Sequence, residues 1–69
     1  MKYPVIYERT ATGFAASVPD LPGCVAAGES LDETRALIAA AIALHLAGMR
    51  EDGTPIPAQS LLELVDVSG

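Results

Sequence analysis

The chain is poor in the residues that usually reinforce a small protein. Its 69 residues include one cysteine (Cys24), one histidine (His45), one phenylalanine and no tryptophan. A single cysteine excludes an internal disulfide, and one cysteine with one histidine cannot supply the four ligands of a structural zinc site. A domain of this length buries only about 60% of the surface that its unfolded chain exposes. We therefore expect a homo-oligomer, a dimer or a tetramer, that needs no metal or other cofactor.

Positive charge is also scarce. Nine acidic residues outnumber four basic ones, and the net charge is −5. The basic residues are scattered along the sequence, which argues against a groove for nucleic acid and against direct DNA binding. The acidity suits a basic protein partner, and it equally suits solubility alone.

Long apolar segments and export signals are missing as well. The longest apolar run, residues 36–44, is shorter than the about 20 residues needed to cross a bilayer. The first residues lack the basic and apolar regions of a signal peptide. We expect a cytoplasmic protein with no membrane partner.

The sequence does contain a succession of short strand-like segments before one helical segment. Residues 3–8 are rich in aromatic and β-branched residues, residues 14–18 alternate, and residues 24–27 form a third run. Residues 61–67 predict a fourth strand. The order predicts an α+β fold, β-β-β-α-β. Its first three strands form an antiparallel meander, one long helix covers one face, and the fourth strand lies parallel to a neighbour.

Clear start and stop signals bound the predicted helix. Ser30 is a good N-cap, because its hydroxyl can accept from the amide of Glu33, whose side chain can reach back. Gly53 is suited to the position after the C-cap. These signals predict a helix from Leu31 to about Glu51.

The predicted helix has more apolar surface than one sheet requires. Its large apolar side chains spread over about half of the circumference, roughly twice the arc that faces a sheet. Leu44 and Leu46 are therefore candidates for an oligomer interface. The alternative is that the many alanines only favour a helix on a solvent-exposed face.

A rigid loop is predicted between the second and third strands. Proline fixes its own φ and glycine permits a positive φ, so Pro19, Pro22 and Gly23 indicate a stiff turn. Asp20 lies within this loop. Its carboxylate either caps the turn or contacts a partner.

Together these features resemble the HicB family of bacterial antitoxins, in particular the compact N-terminal domain of that family. The resemblance covers the whole chain, 1–69, as a single domain. Its most specific part is the Pro-Asp-Leu-Pro-Gly-Cys run with a glycine four residues beyond Cys24. The other matching features are the strand 3–8, Phe14, Val18, Gly28, the Ser30–Glu33 cap, the alanine-rich helix, Asp52-Gly53 and Ile56-Pro57.

The resemblance implies a partially degraded ribonuclease H fold. It also implies a non-enzymatic antitoxin of a type II toxin-antitoxin system that binds and neutralises a HicA-like mRNA-cleaving ribonuclease. We expect contact through the exposed sheet face or the edge strand, with Tyr3, Tyr7 and Asp20 as candidate partner-binding residues. Many members add a C-terminal DNA-binding segment. This sequence has no basic helix before Gly69, so no such segment is expected.

Two alternatives remain open. The first is a stand-alone oligomeric domain that binds another protein or a small ligand. The second is a metal-dependent nuclease in which Glu8, Glu33 and Asp66 converge on Mg²⁺. Glu33 is already explained by the helix cap, and no basic groove accompanies the three acids.

Overall fold

Three short strands and one long helix make up the regular structure of residues 2–67, the part of the chain that the computed structural model describes. The strands are β1 (Ile6–Arg9), β2 (Phe14–Ser17) and β3 (Val25–Gly28), and the helix is α1 (Leu31–Glu51). The predicted α+β class, the meander and the long helix are confirmed. β1 begins later than predicted, because residues 3–5 precede the first paired residue and Pro4 has no N–H to donate.

The register of the meander divides its side chains between two faces. The strands lie in the order β1-β2-β3 with antiparallel pairing throughout. Tyr7 lies opposite Ala16, and Ala16 lies opposite Ala26. Residues directly opposite one another share a face, and Ala16 is buried in the core, so this row faces the helix layer. The neighbouring rows face away from it.

Local hydrogen bonds start α1 at the predicted residue. The Glu33 amide donates to the Ser30 Oγ at 3.1 Å, and the Thr34 hydroxyl donates to the Ser30 carbonyl at 2.7 Å. The predicted return bond from the Glu33 side chain is absent among the described hydrogen bonds. The first half of the capping box therefore suffices to fix this end.

Glycine ends the helix as predicted. Gly53 has a φ of +70°, and its amide donates to the Arg50 carbonyl at 3.2 Å. The Thr54 amide donates to the Met49 carbonyl at 2.9 Å. This pair of bonds is the Schellman arrangement, which satisfies carbonyls that the end of a helix would otherwise leave unpaired.

The loop between β2 and β3 consists of two successive turns. The Leu21 amide donates to the Val18 carbonyl at 3.1 Å, and the Cys24 amide donates to the Leu21 carbonyl at 3.0 Å. In the second turn Pro22 precedes Gly23, whose φ is +84°. That combination is typical of a type II turn. The loop is rigid, and Leu21 at its centre is completely buried.

The core lies between α1, the loop and only part of the sheet. Its buried apolar side chains are Ala16, Val18, Leu21, Cys24, Ile38 and Leu46. The helix packs over β3 and β2 but not over β1. All four residues of β1 are consequently exposed, although the strand is fully paired with β2.

An extended connector follows the helix and is tied to the N-terminal residues. The Tyr3 hydroxyl donates to the Pro57 carbonyl at 2.7 Å, and the Lys2 amide donates to the Gln59 side-chain oxygen at 2.7 Å. Ile56 packs against the core. The connector thus crosses the end of the sheet at which β1 begins.

The predicted fourth strand is wrong for the described residues. Residues 61–67 have no regular secondary structure and pair with no strand, and their large apolar side chains are exposed. A β-type sequence indicates only local preference, whereas a strand also needs a sheet edge beside it. The connector is held at Asp20 of the β2–β3 loop, and the segment that follows it lies beside no strand of its own chain.

Candidate protein-binding surface

One side of the sheet is free of the helix, and we call it the open face. It consists of Ile6, Glu8, Ala15, Ser17, Val25 and Ala27, which follow from the strand register. Small side chains at its centre and larger apolar ones beside them leave a shallow concavity of about 510 Å³. Val25 is 64% exposed, so this face presents apolar surface to solvent. An apolar concavity of this kind is suited to contact with another molecule.

Three carboxylates border the open face, and we call them the acidic rim: Glu8, Glu29 and Glu33. Glu8 lies in the same cross-strand row as Ala15 and Ala27. A second concavity of about 330 Å³ contains Glu29 and Glu33, and Ala27 lines both concavities. The two concavities, and with them the open face and the acidic rim, therefore adjoin at Ala27.

The negative charge of the acidic rim is not neutralised within the described residues. Arg35 is paired with Asp32, with 3.1 Å between their side chains, and this is the single ion pair found in residues 2–67. Arg9 lies over the Phe14 ring, 5.7 Å from its centre. The three rim carboxylates are exposed and lie outside any such pair. A basic partner would find them available.

The two predicted tyrosines occupy different environments. Tyr3 is partly buried, and its hydroxyl donates a hydrogen bond to the Pro57 carbonyl. Tyr7 lies on the helix side of the sheet, but it is 37% exposed because α1 does not cover β1. Partner binding through either residue stays a prediction, and Tyr7 is the more accessible of the two.

Asp20 holds the connector. Its carboxylate accepts from the Ser60 amide at 2.7 Å and from the Ser60 hydroxyl at 2.5 Å. This internal contact joins residues 40 positions apart, and no local sequence pattern predicts it. A contact between Asp20 and a partner stays a prediction. Both carboxylate oxygens of Asp20 already accept hydrogen bonds from Ser60.

The predicted interface pair on α1 points in two directions. Leu46 is 8% exposed and packs in the chain's own core, whereas Leu44 is 77% exposed. Leu44 lies in a row with Leu37, Ala41 and Gly48, whose spacing of four, three and four residues places them along one side of the helix. An oligomer contact through α1 stays a prediction, now with Leu44 as its accessible member.

Most of the predicted scaffold residues have a definite structural role. Pro19 and Pro22 follow the first residue of each turn in the β2–β3 loop. Gly23 supplies a positive φ and Ser30 caps the helix. A Cβ at Gly28 would lie 2.7 Å from the Thr34 Oγ1, so the close approach of strand and helix requires glycine at this position. Glu33 contributes its amide to the cap and its carboxylate to the acidic rim.

No metal centre is assembled in the described part of the chain. Within residues 2–67, no three histidine, cysteine, aspartate or glutamate side chains come close enough together to hold an ion. Glu8, Glu33 and Asp66 are therefore not brought together. Cys24 is buried, and burial raises the pKa of its thiol because the thiolate would lose its hydration. These residues do not form a catalytic constellation.

Residues 2–67 contain no helix that is both long enough and apolar enough to cross a membrane.

Comparison with known proteins gives a consistent family match. The sequence model of the family described as "HicB_like antitoxin of bacterial toxin-antitoxin system" matches residues 3–68. The chain is 40% identical over 63 residues to an uncharacterized 14.9 kDa protein from the rep-hol intergenic region of Haemophilus phage HP1. It is 54% identical over 35 residues to the UPF0150 protein ssl0259 of Synechocystis.

Each of these matches covers only part of the curated relative. The phage match covers 91% of this chain and 47% of the phage protein, and the Synechocystis match covers 49% and 48%. The chain thus spans about half the length of each relative.

A solved structure has a similar fold. It is a chain of the "HicA3 and HicB3 toxin-antitoxin complex", 30% identical in sequence with a TM-score of 0.71. The match covers 81% of this chain and 65% of the other.

Proposed function

This chain belongs to the HicB-like family of bacterial antitoxins, and on that basis we propose that it neutralises a HicA-like ribonuclease toxin by direct binding. It covers the toxin and supplies no catalytic group. The observation that supports this proposal is the surface formed by the open face and the acidic rim, which adjoin at Ala27. The neighbour of similar fold belongs to a toxin-antitoxin complex, which supports the choice of partner.

The open face provides the apolar part of the proposed contact. Ile6 and Val25 stand on either side of the small residues Ala15 and Ser17, so a protruding apolar side chain of the toxin can enter between them. Interfaces have this composition at their centres, where water is excluded and contact is close. The sheet beneath is paired on both sides of β2, so the face is held in shape before binding.

The acidic rim provides the charge that selects a basic toxin. Glu8, Glu29 and Glu33 lie at the edge of the contact, where charges steer the approach of a partner more than they add affinity. The net charge of −5 extends the same attraction over the whole chain. Binding of a basic toxin is therefore expected to weaken as salt concentration rises.

The first experiment is coexpression with the short basic protein, if any, encoded next to this chain. We expect the neighbour to stop growth when expressed alone, growth to return when both are expressed, and the two to copurify. A neighbour that stays toxic and fails to copurify with the folded chain contradicts the proposal. That result would favour the alternative of a stand-alone domain with a different ligand.

A matched pair of charge reversals locates the contact. Glu8→Lys changes the acidic rim, and Glu51→Lys makes the same change at the far end of α1, outside both concavities. We expect Glu8→Lys to raise the dissociation constant for the toxin by about 10-fold or more, mainly through slower association. Glu51→Lys should change it by less than about 3-fold. Equal effects of the two variants would place the toxin elsewhere.

A further inference from the structure

We infer that two copies of this chain associate by exchanging residues 61–67, each segment adding as a fourth strand to the β1 edge of the other copy. We call residues 61–67 the exchange segment. The inference concerns a second copy of the chain and does not rest on the proposed toxin.

The exchange segment has the composition of a buried strand, but it is exposed to solvent. Five of its seven residues are leucine or valine: Leu61, Leu62, Leu64, Val65 and Val67. They are 59% to 95% exposed, and the segment has no regular secondary structure and no hydrogen-bonded neighbour strand. Apolar residues fall on both faces of such a strand, which is typical of strands covered on both sides. An uncovered segment of this kind is a ready site for pairing.

The segment begins at a fixed point beside the β2–β3 loop. The connector contacts Tyr3 through Pro57 and then Asp20 through Ser60. These contacts carry the chain across the end of the sheet, past the start of β1 and toward the β2–β3 loop. The next residue already belongs to the exchange segment, which follows the anchored Ser60 directly and joins no strand of its own sheet.

The outer edge of β1 is free to accept an added strand. β1 pairs with β2 on one side, and no other strand lies on its outer side among the described residues. The helix covers β3 and β2 but not β1, so the strand is open on both faces as well as along its edge. Ile6 projects on one face and Tyr7 on the other, which gives an added strand apolar neighbours on both.

The exposed area agrees with the burial that a stable dimer needs. A compact folded monomer of 7.1 kDa is expected to expose about 4,100 Å². This chain exposes 5208 Å². The excess of about 1,100 Å² per copy is close to the about 800 Å² that each partner buries in an interface of standard size. Two-fold exchange uses the same pair of surfaces twice, which is the usual symmetry of a homodimer.

The test measures the mass of the complete chain, alone and as two variants, by light scattering at micromolar concentrations. Leu64→Pro removes a backbone donor in the middle of the exchange segment and touches no core residue. Leu44→Glu places a charge on the exposed side of α1 and leaves the segment intact. Circular dichroism checks that both variants keep the fold.

We expect a mass of twice 7.1 kDa for the wild type and for Leu44→Glu. The dimer dissociation constant of Leu64→Pro should rise by at least about 10-fold, since each dimer loses two strand hydrogen bonds and gains two unfavourable prolines. A monomeric wild type overturns the inference. So does a dimer that Leu64→Pro leaves intact, or one that only Leu44→Glu dissociates.

Amide hydrogen exchange identifies the edge that receives the segment. In the wild type we expect protection of the Ile6–Arg9 amides that point away from β2, which Leu64→Pro abolishes, while the amides that pair β1 with β2 stay protected. Loss of protection along Val25–Gly28 instead of β1 would assign the segment to the other edge and contradict the inference as stated.

Discussion

A Cβ on Gly28 would lie 2.7 Å from the Oγ1 of Thr34 and 3.1 Å from its amide nitrogen. Thr34 cannot move aside, because it is completely buried and its hydroxyl donates to the Ser30 carbonyl at 2.7 Å. The end of β3 and the first turn of α1 are therefore in direct backbone contact. This contact fixes how the helix begins over the sheet.

The first prediction is that Gly28→Ala lowers the free energy of unfolding by about 1–3 kcal/mol, because the added methyl overpacks this contact. Urea denaturation measures the change. Gly48→Ala is the matched control, since a Cβ there meets nothing within 4 Å. It should raise the free energy of unfolding by about 0.5–1 kcal/mol through helix propensity. A Gly28→Ala variant as stable as the control would mean that strand and helix are further apart.

The second prediction separates the two leucines near the middle of α1. Leu46→Ala should lower the free energy of unfolding by about 2–4 kcal/mol, since Leu46 is buried in the core. Leu44→Ala should change it by less than about 0.5 kcal/mol, because Leu44 is exposed. Thermal denaturation of the pair measures both. A reversed order would show that α1 is rotated from the orientation described above.

The third prediction concerns the bond between the loop and the connector. Asp20→Ala removes the acceptor for both the amide and the hydroxyl of Ser60. We expect faster amide exchange at residues 57–60 and a loss of stability of about 1 kcal/mol, kept small by the exposure of the site. Glu29→Ala serves as the control, because Glu29 is exposed and makes no such bond. Unchanged exchange at Ser60 would contradict the anchoring role of Asp20.

The fourth prediction is a pH dependence that originates in Cys24. Burial raises the pKa of the Cys24 thiol in the folded chain. The unfolded chain therefore releases this proton first, from about pH 8.5 upward. The contribution of the thiol to stability is full below that pH and declines as pH rises toward the folded pKa.

Comparison with Cys24→Ala isolates the effect. The wild-type free energy of unfolding should fall more steeply than that of the variant above about pH 8.5, and the two slopes should agree near neutral pH. A thiol reagent should react with the native chain only as fast as Cys24 becomes exposed. Rapid labelling of the folded protein would show that the thiol is accessible.

The sequence predicted the elements whose signals are local. The bounds of α1 agree with the structure because Ser30 and Gly53 fix its ends through bonds to residues within one turn. The loop was predicted for the same reason, since Pro22 and Gly23 determine their own backbone angles. Such positions can be predicted because their backbone conformation depends on hydrogen bonds between residues that are close in the sequence.

The wrong or missed features depend on distant residues. Residues 61–67 prefer an extended backbone, but a strand also needs a sheet edge beside it. The contact of Ser60 with Asp20 holds the preceding connector at the β2–β3 loop. The sequence predicts contact through an exposed sheet face but does not identify the residues of that face, because strand alternation does not say which side a helix will cover. The small residues Ala15 and Ser17 were its only local sign.

The spatial order of β1, β2, β3 and α1 repeats their order in the sequence. Each element meets the one made just before it, and such local topologies fold rapidly. During synthesis the sheet and helix can form as soon as Glu51 has emerged, before the exchange segment is available. Folding is then independent of concentration, whereas the proposed pairing of two chains is a bimolecular step. The abundance of the protein, rather than its folding rate, would set how quickly the assembled form accumulates.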